Sequence, residues 1–468
     1  MTSPLPQSGC GTTGLVAINA LGPSGEYRTR NREIITDTAG VPVAECSIVP
    51  PLYVTRTISA QRNARPLPLG TLAAALVKTT HIFTNSVIGG LDFDQYVQLA
   101  SRVSGLPIRV TRAEIRGVAD AATTAFDAVR PAHPAGAAYD WREERTRQGS
   151  AVWARRGQVF AVHASGNGPL VHGIWLQALA LGYRVAIRPS RREPFTGHRL
   201  VLALRQAGFR NEDVAYLPTD YAGADEIIRA ADLSMVYGGQ DVVDKYSADP
   251  TVFPNGPGRA KILITAEQHW REFLDIIVDS ITNLGGMGCV NTTAVLYEGD
   301  PAPLARAIAE RLSTIPALPS SDERAILPTQ PIDKAKALAA HLKAKAVGAT
   351  PVLGADQVVA DLGDGYAALR PAVHLLAKPE VDKLNTELAF PCVWVSPWSR
   401  ADGLQPLRHS LVLNAITADE DLLDELVNEP TVTNVYNGHY PTCYQTPEIP
   451  HDGYLADFLM RNKGFIRD

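Results

Sequence analysis

The chain has 468 residues, too many for a single compact core, so two or three domains are expected. Hydrophobic residues make up 45% of it, charged residues 20%, and the net charge is −5, which gives no electrostatic basis for binding nucleic acid or an acidic membrane surface. Five scattered cysteines (10, 46, 289, 392 and 443) with no Cys-x-x-Cys pair argue against a disulfide framework and a zinc site.

The eleven histidines show no metal-ligand spacing either. No apolar run reaches the roughly 18 residues that a membrane helix needs, and "MTSPLPQSGCGTTG" lacks the basic start and apolar core of a secretory signal. A reduced, cytoplasmic enzyme without a metal is the expectation.

In chain order, "TGLVAINAL" and "VPVAECSIVPPLYVTRTIS" are strand-like runs flanking a turn at Ala39-Gly40. Helical patterns follow at 69–80, 92–103 and 111–130, and "RPAHPAGAAYD" (130–140) is a connector. Strand and helix then alternate. Strands are predicted at 158–164, 183–188, 213–217 and over "LSMVYG", with helices at 169–181, 195–207 (closed by Gly208) and 223–230. A second alternating block starts at "RAKILIT" (259–265) and continues through helix 267–283, strand 292–297 and helices 302–313 and 331–344. Such alternation predicts an α/β protein with doubly wound parallel sheets.

"GCGTTG" (9–14) fits the dinucleotide fingerprint G-x-G-x-x-G, but a Pro/Ser-rich stretch precedes it and a strand pattern follows. The fingerprint needs the opposite context, so it is set aside. "HASGNGPL" (163–170) stands where a strand ends and a helix begins, the ligand-binding edge of parallel α/β sheets. Asn167 there either directs its amide into a site or merely caps a turn. "AIRPSRREP" (186–194) brings Arg188, Arg191 and Arg192 to the same edge, as a phosphate site or as a solvated basic loop. "YGGQDVVDKY" (237–246) offers a Gly238-Gly239 turn to a ligand. Glu387 in "NTELAFPCVWV" either receives ribose hydroxyls or ends a strand, and Cys392 reads as core. In "NLGGMGCVNTTAVLYEG" (283–299), Cys289 is either a nucleophile or a filler of a tight bend.

Taken in order, "NGPL", "IRPSRREP", "YGGQDVV", "GGMGC", "ELAFP" and the strand pair "ITDTAGVPVAEC" resemble the elements of the aldehyde dehydrogenase superfamily over roughly 30–465. Within it, "SGNGPL", "VYGGQDVVDKY" and "FPNGPGRAKI" are most similar to the acyl-CoA reductase branch, typified by the fatty acyl reductase of bacterial luminescence. The resemblance implies two doubly wound parallel-sheet domains plus a small β oligomerisation element. Residues 1–137 and 158–257 would bind the nucleotide, 258–438 would form the catalytic domain, and 138–157 with 439–468 would oligomerise. Cys289 would be the nucleophile, with its own N–H and the Asn167 amide as oxyanion donors. Ser165, Gly166, Arg188, Ser190, Arg191, Gly238, Gly239 and Glu387 would line the cofactor.

Two departures from the family pattern sharpen the reading. Aldehyde-oxidising members carry a glutamate base about 34 residues before the cysteine, which takes a proton from the water that releases the acid. Here no residue from Thr251 to Lys261 is acidic. That favours reduction of an acyl thioester (acyl-CoA) to an aldehyde over hydrolytic oxidation. Secondly, Arg191 stands where NAD-preferring members often carry a ribose-binding acid, and it suits a 2′-phosphate, hence NADPH. A carrier-protein thioester or an activated aromatic acid is the alternative substrate, and a nucleotide-binding, non-catalytic subunit is the alternative role. No His or Lys adjoins Cys289 in sequence, so any partner must arrive through the fold. A cysteine hydrolase is disfavoured because no motif places a histidine. A homo-oligomer (dimer or tetramer) is expected through "YDWREERTRQGSAVWARRG" (139–157) and the apolar tail 453–466, with a hetero-complex as the other possibility.

Overall fold

The computed structural model describes residues 14–468, so all but the last glycine of "GCGTTG" lies outside the described residues. Two seven-stranded sheets carry the fold. The first, in spatial order, is Val252–Asn255, Leu233–Tyr237, Val159–His163, Arg184–Arg188, Val214–Tyr216, Ala20–Gly22 and Gly25–Tyr27. Its first five strands are parallel and the last two form an antiparallel edge. Phe160, Ala161 and Val162 are fully buried, as a strand covered by helices on both faces requires. The chain moves outward from Val159–His163 through the next two strands, then returns to its other side at Leu233–Tyr237. That reversal opens a crevice beyond the carboxyl ends of these two central strands.

The second sheet runs Thr350–Leu353, Ala372–Leu375, Cys392–Pro397, Thr292–Tyr297, Ala260–Ile264, Ser410–Ile416 and Val432–Tyr436. All its pairings are parallel except the first. The chain crosses between the two sheets at residues 256–259. A small third sheet sets Met460–Phe465 antiparallel to Ser150–Arg155, which pairs in turn with Ala137–Ala138. Two doubly wound parallel sheets with a small β element are therefore the architecture, as the alternating pattern predicts.

Several predicted elements differ from the structure. "PLYVTRTIS" is not strand but the start of helix Pro51–Asn63. Its β-branched residues are outweighed by Val54, Ile58 and Gln61, buried at helical spacing against the first sheet. Helix 169–181 is two short helices, Val171–Ile174 and Leu176–Ala180, broken at the fully buried Trp175, whose Nε1–H donates to His172 Nδ1 at 3.2 Å. Helix 111–130 spans Ile108–Thr124, and helix 267–283 is a 3-10 turn Trp270–Phe273 followed by Leu274–Thr282. The first part of 439–468, expected to oligomerise, also makes contacts within the chain itself. Thr442 donates from its side chain to Val290 O (2.6 Å) and from its backbone to Ser280 Oγ (3.0 Å), so this stretch packs on the second sheet's domain beside Cys289.

No helix among the described residues is long and apolar enough to cross a membrane.

Candidate active site

Cys289 lies in the turn that leads from helix Leu274–Thr282 into strand Thr292–Tyr297. Leu284, Gly285 and Gly286 all have φ between 51° and 72°, a left-handed run that glycine adopts most cheaply. Gly286 is needed for a second reason: a Cβ there would lie 2.4 Å from Pro391 N. Asn291 locks the turn from below. Its Oδ1 accepts from Gly288 N–H at 2.7 Å, and its Nδ2 donates to Ser280 O (3.0 Å) and Asn283 O (2.8 Å). Behind the cysteine, a Cβ on Gly258 would fall 1.6 Å from Cys289 O, so only glycine allows this approach.

The thiol has a partner. Cys289 Sγ lies 3.2 Å from His451 Nε2, across 162 residues of chain, and His451 Nδ1 lies 2.7 Å from Asp452 Oδ2. Burial lowers the pKa of His451, but the Cys289 charge and hydrogen bond, with those of Asp452, outweigh it and raise the pKa well above the ordinary range. Asn434 fixes the segment by donating from Nδ2 to His451 O (2.7 Å) and to Leu411 O (3.0 Å). Tyr237, last residue of its strand, turns a buried hydroxyl without a hydrogen-bond partner toward this region. Burial raises its pKa, and so do the nearby Asp452 and Cys289 charges.

Asn167 reaches the same turn from the first domain. Its Nδ2 donates to Met287 O at 3.2 Å, and its Oδ1 accepts from Ser165 Oγ. The structure thus brings Asn167 to the cysteine loop and makes Ser165 the group that orients it. Beneath the turn, Gly168 sits on Glu114, whose carboxylate would be 2.3 Å from a Cβ there. Burial pushes the Glu114 carboxyl up to about 8, although a backbone bond from Leu170 lowers it.

The other predicted residues gather at the crevice of the first sheet. His163 and Arg188 are register partners at the ends of adjacent strands. His163 Nε2 and Arg188 Nε are buried without partners. Burial, then the Arg188 and Lys245 charges, lower His163 to about 3, so it is neutral. Gly166 lets this loop meet the next one, since a Cβ there would lie 2.3 Å from Ser190 Oγ. Gly238 and Gly239 follow Tyr237 at the switch point and lead into helix Gln240–Tyr246. A shallow cleft is lined by Pro189, Ser190, Arg191, Thr219 and Glu33 among others. Arg191 is not free in it: its Nε lies 3.1 Å from Glu33 Oε2. Glu387 stands apart from this cleft. Its Oε2 accepts from Arg259 N–H at 2.8 Å, which anchors the strand beside Gly258, and burial pushes its carboxyl up against the effect of these N–H bonds. Cys392 is core, raised to about 12 by burial.

His451, Asp452, Asn291, Glu33 and Glu114 escape the sequence reading. Only "PHDG" (450–453) carried a trace, a His-Asp pair in a Pro/Gly-rich loop. The ground for disfavouring hydrolase-like chemistry, the lack of a placed histidine, does not hold in three dimensions.

Fold and site define a two-domain α/β protein with a histidine-paired cysteine where a nucleotide-type sheet meets a second parallel sheet. Residues 72–405 match the model of the aldehyde dehydrogenase family, and the chain belongs to that family. No curated protein matches it. Among solved structures it is similar to an indole-3-acetaldehyde dehydrogenase complexed with NAD+ (15% identity, 96% of this chain and 97% of that one, TM-score 0.82). It is likewise similar to the aldehyde dehydrogenase KauB from Pseudomonas aeruginosa (14% identity, 96% of each chain, TM-score 0.82). A 3,6-anhydro-L-galactose dehydrogenase in complex with NADP aligns at 16% identity over 96% of this chain and 99% of that one, TM-score 0.79. At these identities the structures establish the fold.

Proposed function

We propose that this chain reduces an acyl thioester, an acyl-CoA in the first instance, to the aldehyde, with NADPH as reductant and Cys289 as the acyl carrier. The observation that carries the reading is the face which residues 251–261 turn toward the cysteine. Gly258 abuts Cys289, and no carboxylate stands in that stretch. Asn255, at 34 positions before the cysteine (289 − 255), is a buried amide whose Nδ2 lies 3.4 Å from Phe253 O. Without a carboxylate aimed at water there, an acyl-enzyme is better placed to pass its acyl group on by reduction than to lose it to hydrolysis.

Cys289 attacks the thioester carbonyl, and the substrate's C–S bond breaks as its thiol leaves. Asn167 retains a second amide hydrogen beyond the one given to Met287 O. With the Cys289 N–H it would hold the developing oxyanion.

The crevice fits a nicotinamide dinucleotide, because the orphaned Arg188 Nε and the close loop contact at Gly166 lie at its edge. Ser165, Gly166, Arg188, Ser190, Arg191, Gly238 and Gly239 would hold it, and Arg191 would meet a 2′-phosphate. When bound, the reduced cofactor supplies the hydride equivalent that takes the acyl group to the aldehyde level. Relatives of this fold are complexed with NAD+ and with NADP, which supports a nicotinamide cofactor and leaves the phosphate preference to Arg191. The proposal includes self-association into a dimer or tetramer, supported by the exposed edge strand Met460–Phe465.

The test supplies acyl-CoAs of varied length and aromaticity with NADPH, measuring aldehyde, free thiol and the Cys289 adduct by mass spectrometry. Aldehyde and thiol in equal amounts are expected. Oxidation of aldehydes to free acids with NADP, and no reaction of any thioester, would overturn the reading in favour of a hydrolytic dehydrogenase.

A further inference from the structure

We propose that His451, oriented by Asp452, is the acid–base catalyst that moves the proton each time an acyl group enters or leaves Cys289. The role rests on the thioester reading for its substrate, but the geometry stands without it. Nε2 touches the reacting sulfur at 3.2 Å, and Nδ1 is held by Asp452 Oδ2 at 2.7 Å. A ring so held cannot turn its other nitrogen toward the thiol, which fixes the tautomer. The segment that delivers it is clamped on both sides of the cysteine: Asn434 binds the His451 carbonyl, and Thr442 binds Val290 O, the residue after Cys289. These two hydrogen bonds, with the Asp452 contact, hold the imidazole against the sulfur independently of any ligand.

The proton balance is closed within the pair. Nε2 holds the Cys289 proton while sulfur bonds to the acyl carbon. When the substrate's C–S bond breaks, Nε2–H returns that proton to the departing thiolate, giving a free thiol and a neutral imidazole. In the reverse direction a second thiol gives its proton to Nε2, attacks the acyl carbon and expels Cys289. No oxidant or reductant is consumed, so acyl exchange between thiols proceeds without the nucleotide. His451 acts on the sulfur's proton, with Nε2 against Cys289 Sγ. Asp452 is a positioning residue, since it acts only through the imidazole.

The titratable groups around the pair are Asp452 on its own segment, Tyr237 from the first sheet, and Tyr436 and Cys443 in the apolar cluster behind Cys289. Glu387 and Arg259 lie behind Gly258.

The experiment follows alkylation of Cys289 by iodoacetamide in the full chain from about pH 6 to pH 8.5, with the adduct quantified by peptide mass spectrometry. A thiol sharing its proton with His451 reacts at a rate that changes less than about threefold over this range. His451→Asn should restore a rate that climbs about tenfold per pH unit toward an ordinary thiol value of about 8.5, leaving it roughly 100-fold slower than wild type at pH 6. Asp452→Asn should fall between them. A wild-type profile that itself climbs tenfold per unit overturns the proposal, whether or not the variants fold. Flat wild-type alkylation with no thiol release from any acyl-CoA would sink the thioester reading and leave the pair intact. Exchange of labelled CoA into acyl-CoA without nucleotide, lost about 100-fold in His451→Asn, is the expected companion result.

Discussion

The crevice at the carboxyl edge of the first sheet and the thiol at the amino edge of the second are built to different standards of rigidity. In the crevice, the residue best placed to select a cofactor is held by one half-exposed ion pair. The side chains of Arg191 and Glu33 are 53% and 34% exposed, and such pairs contribute about 0–1 kcal/mol. A phosphate could recruit Arg191 at little cost. Around Cys289, by contrast, the flanking segments are held by short bonds to backbone carbonyls: Asn291 to Ser280 and Asn283, Asn434 to His451, Thr442 to Val290. A binding site must admit and release its ligand, whereas a bond-making site loses rate when its atoms stray by an ångström. The cysteine turn thus carries a left-handed run and a set of backbone-anchored hydrogen bonds, while the crevice carries an exposed ion pair.

The sharpest way to break this contrast is Cys289→Ala. Thioester-dependent turnover should fall by at least about 10⁴-fold, while NADPH binding, followed by fluorescence titration, stays within about twofold. Persistent turnover would remove the cysteine from the mechanism altogether, and an inactive wild type would revive a non-catalytic subunit. Asn167→Ala comes next, with an expected loss of about 10²–10³ in kcat and little change in KM. A KM effect alone would make Asn167 a binding residue of the crevice.

Arg191→Ala should cut kcat/KM for NADPH by about tenfold or more while sparing NADH. Glu33→Gln should raise the NADPH preference by freeing the guanidinium. A wild type that prefers NADH would refute the assignment of Arg191 to the 2′-phosphate.

Asn291→Ala tests the rigid half through stability. Leaving the Gly288 N–H and two carbonyls without a partner should cost about 1–3 kcal/mol in urea unfolding. It should also slow the thioester reaction, whereas a crevice substitution such as Glu33→Gln should leave stability unchanged.

The smallest effect concerns pH. Burial raises Glu114 to about 8 and Glu193, buried just before helix Phe195–Ala207, to about 7, from an ordinary value near 4.5. At these two sites the folded chain keeps a proton that the unfolded one loses, so their contribution to stability is greatest below that ordinary value and is lost as pH rises toward 8. Glu114→Gln should flatten the decline of Tm with pH. An unchanged slope would show that the carboxyl beneath the Asn167 turn is not the titrating group.

How much of this was legible in the sequence follows from distance along the chain. Helix Phe195–Ala207 and strand Thr292–Tyr297 end where their sequence signals place them, because Gly208 and the turn at 288–291 are local. The placement of the crevice loops was legible too: in a parallel sheet each loop at the carboxyl edge directly follows its own strand, so Asn167, Arg188 and Gly238 are each read beside the strand that positions them. Helix Pro51–Asn63 misled because its β-branched residues favour strand locally and only packing on the sheet overrides them.

The sequence by itself determined the alternation that makes two parallel sheets, the glycines without which the Cys289 turn could not pack against residues 258 and 391, and the missing acid in 251–261. Tertiary structure alone decided what stands beside the thiol. His451 is separated from Cys289 by 162 residues, and nothing in "PHDG" states which turn it will meet. That contact exists because the 437–454 segment folds back over the second sheet before Met460–Phe465 joins the small one. Glu33 reaches Arg191 by the same kind of long-range closure. Pairing between distant segments depends on the packing of the whole sheet, and no local propensity encodes it.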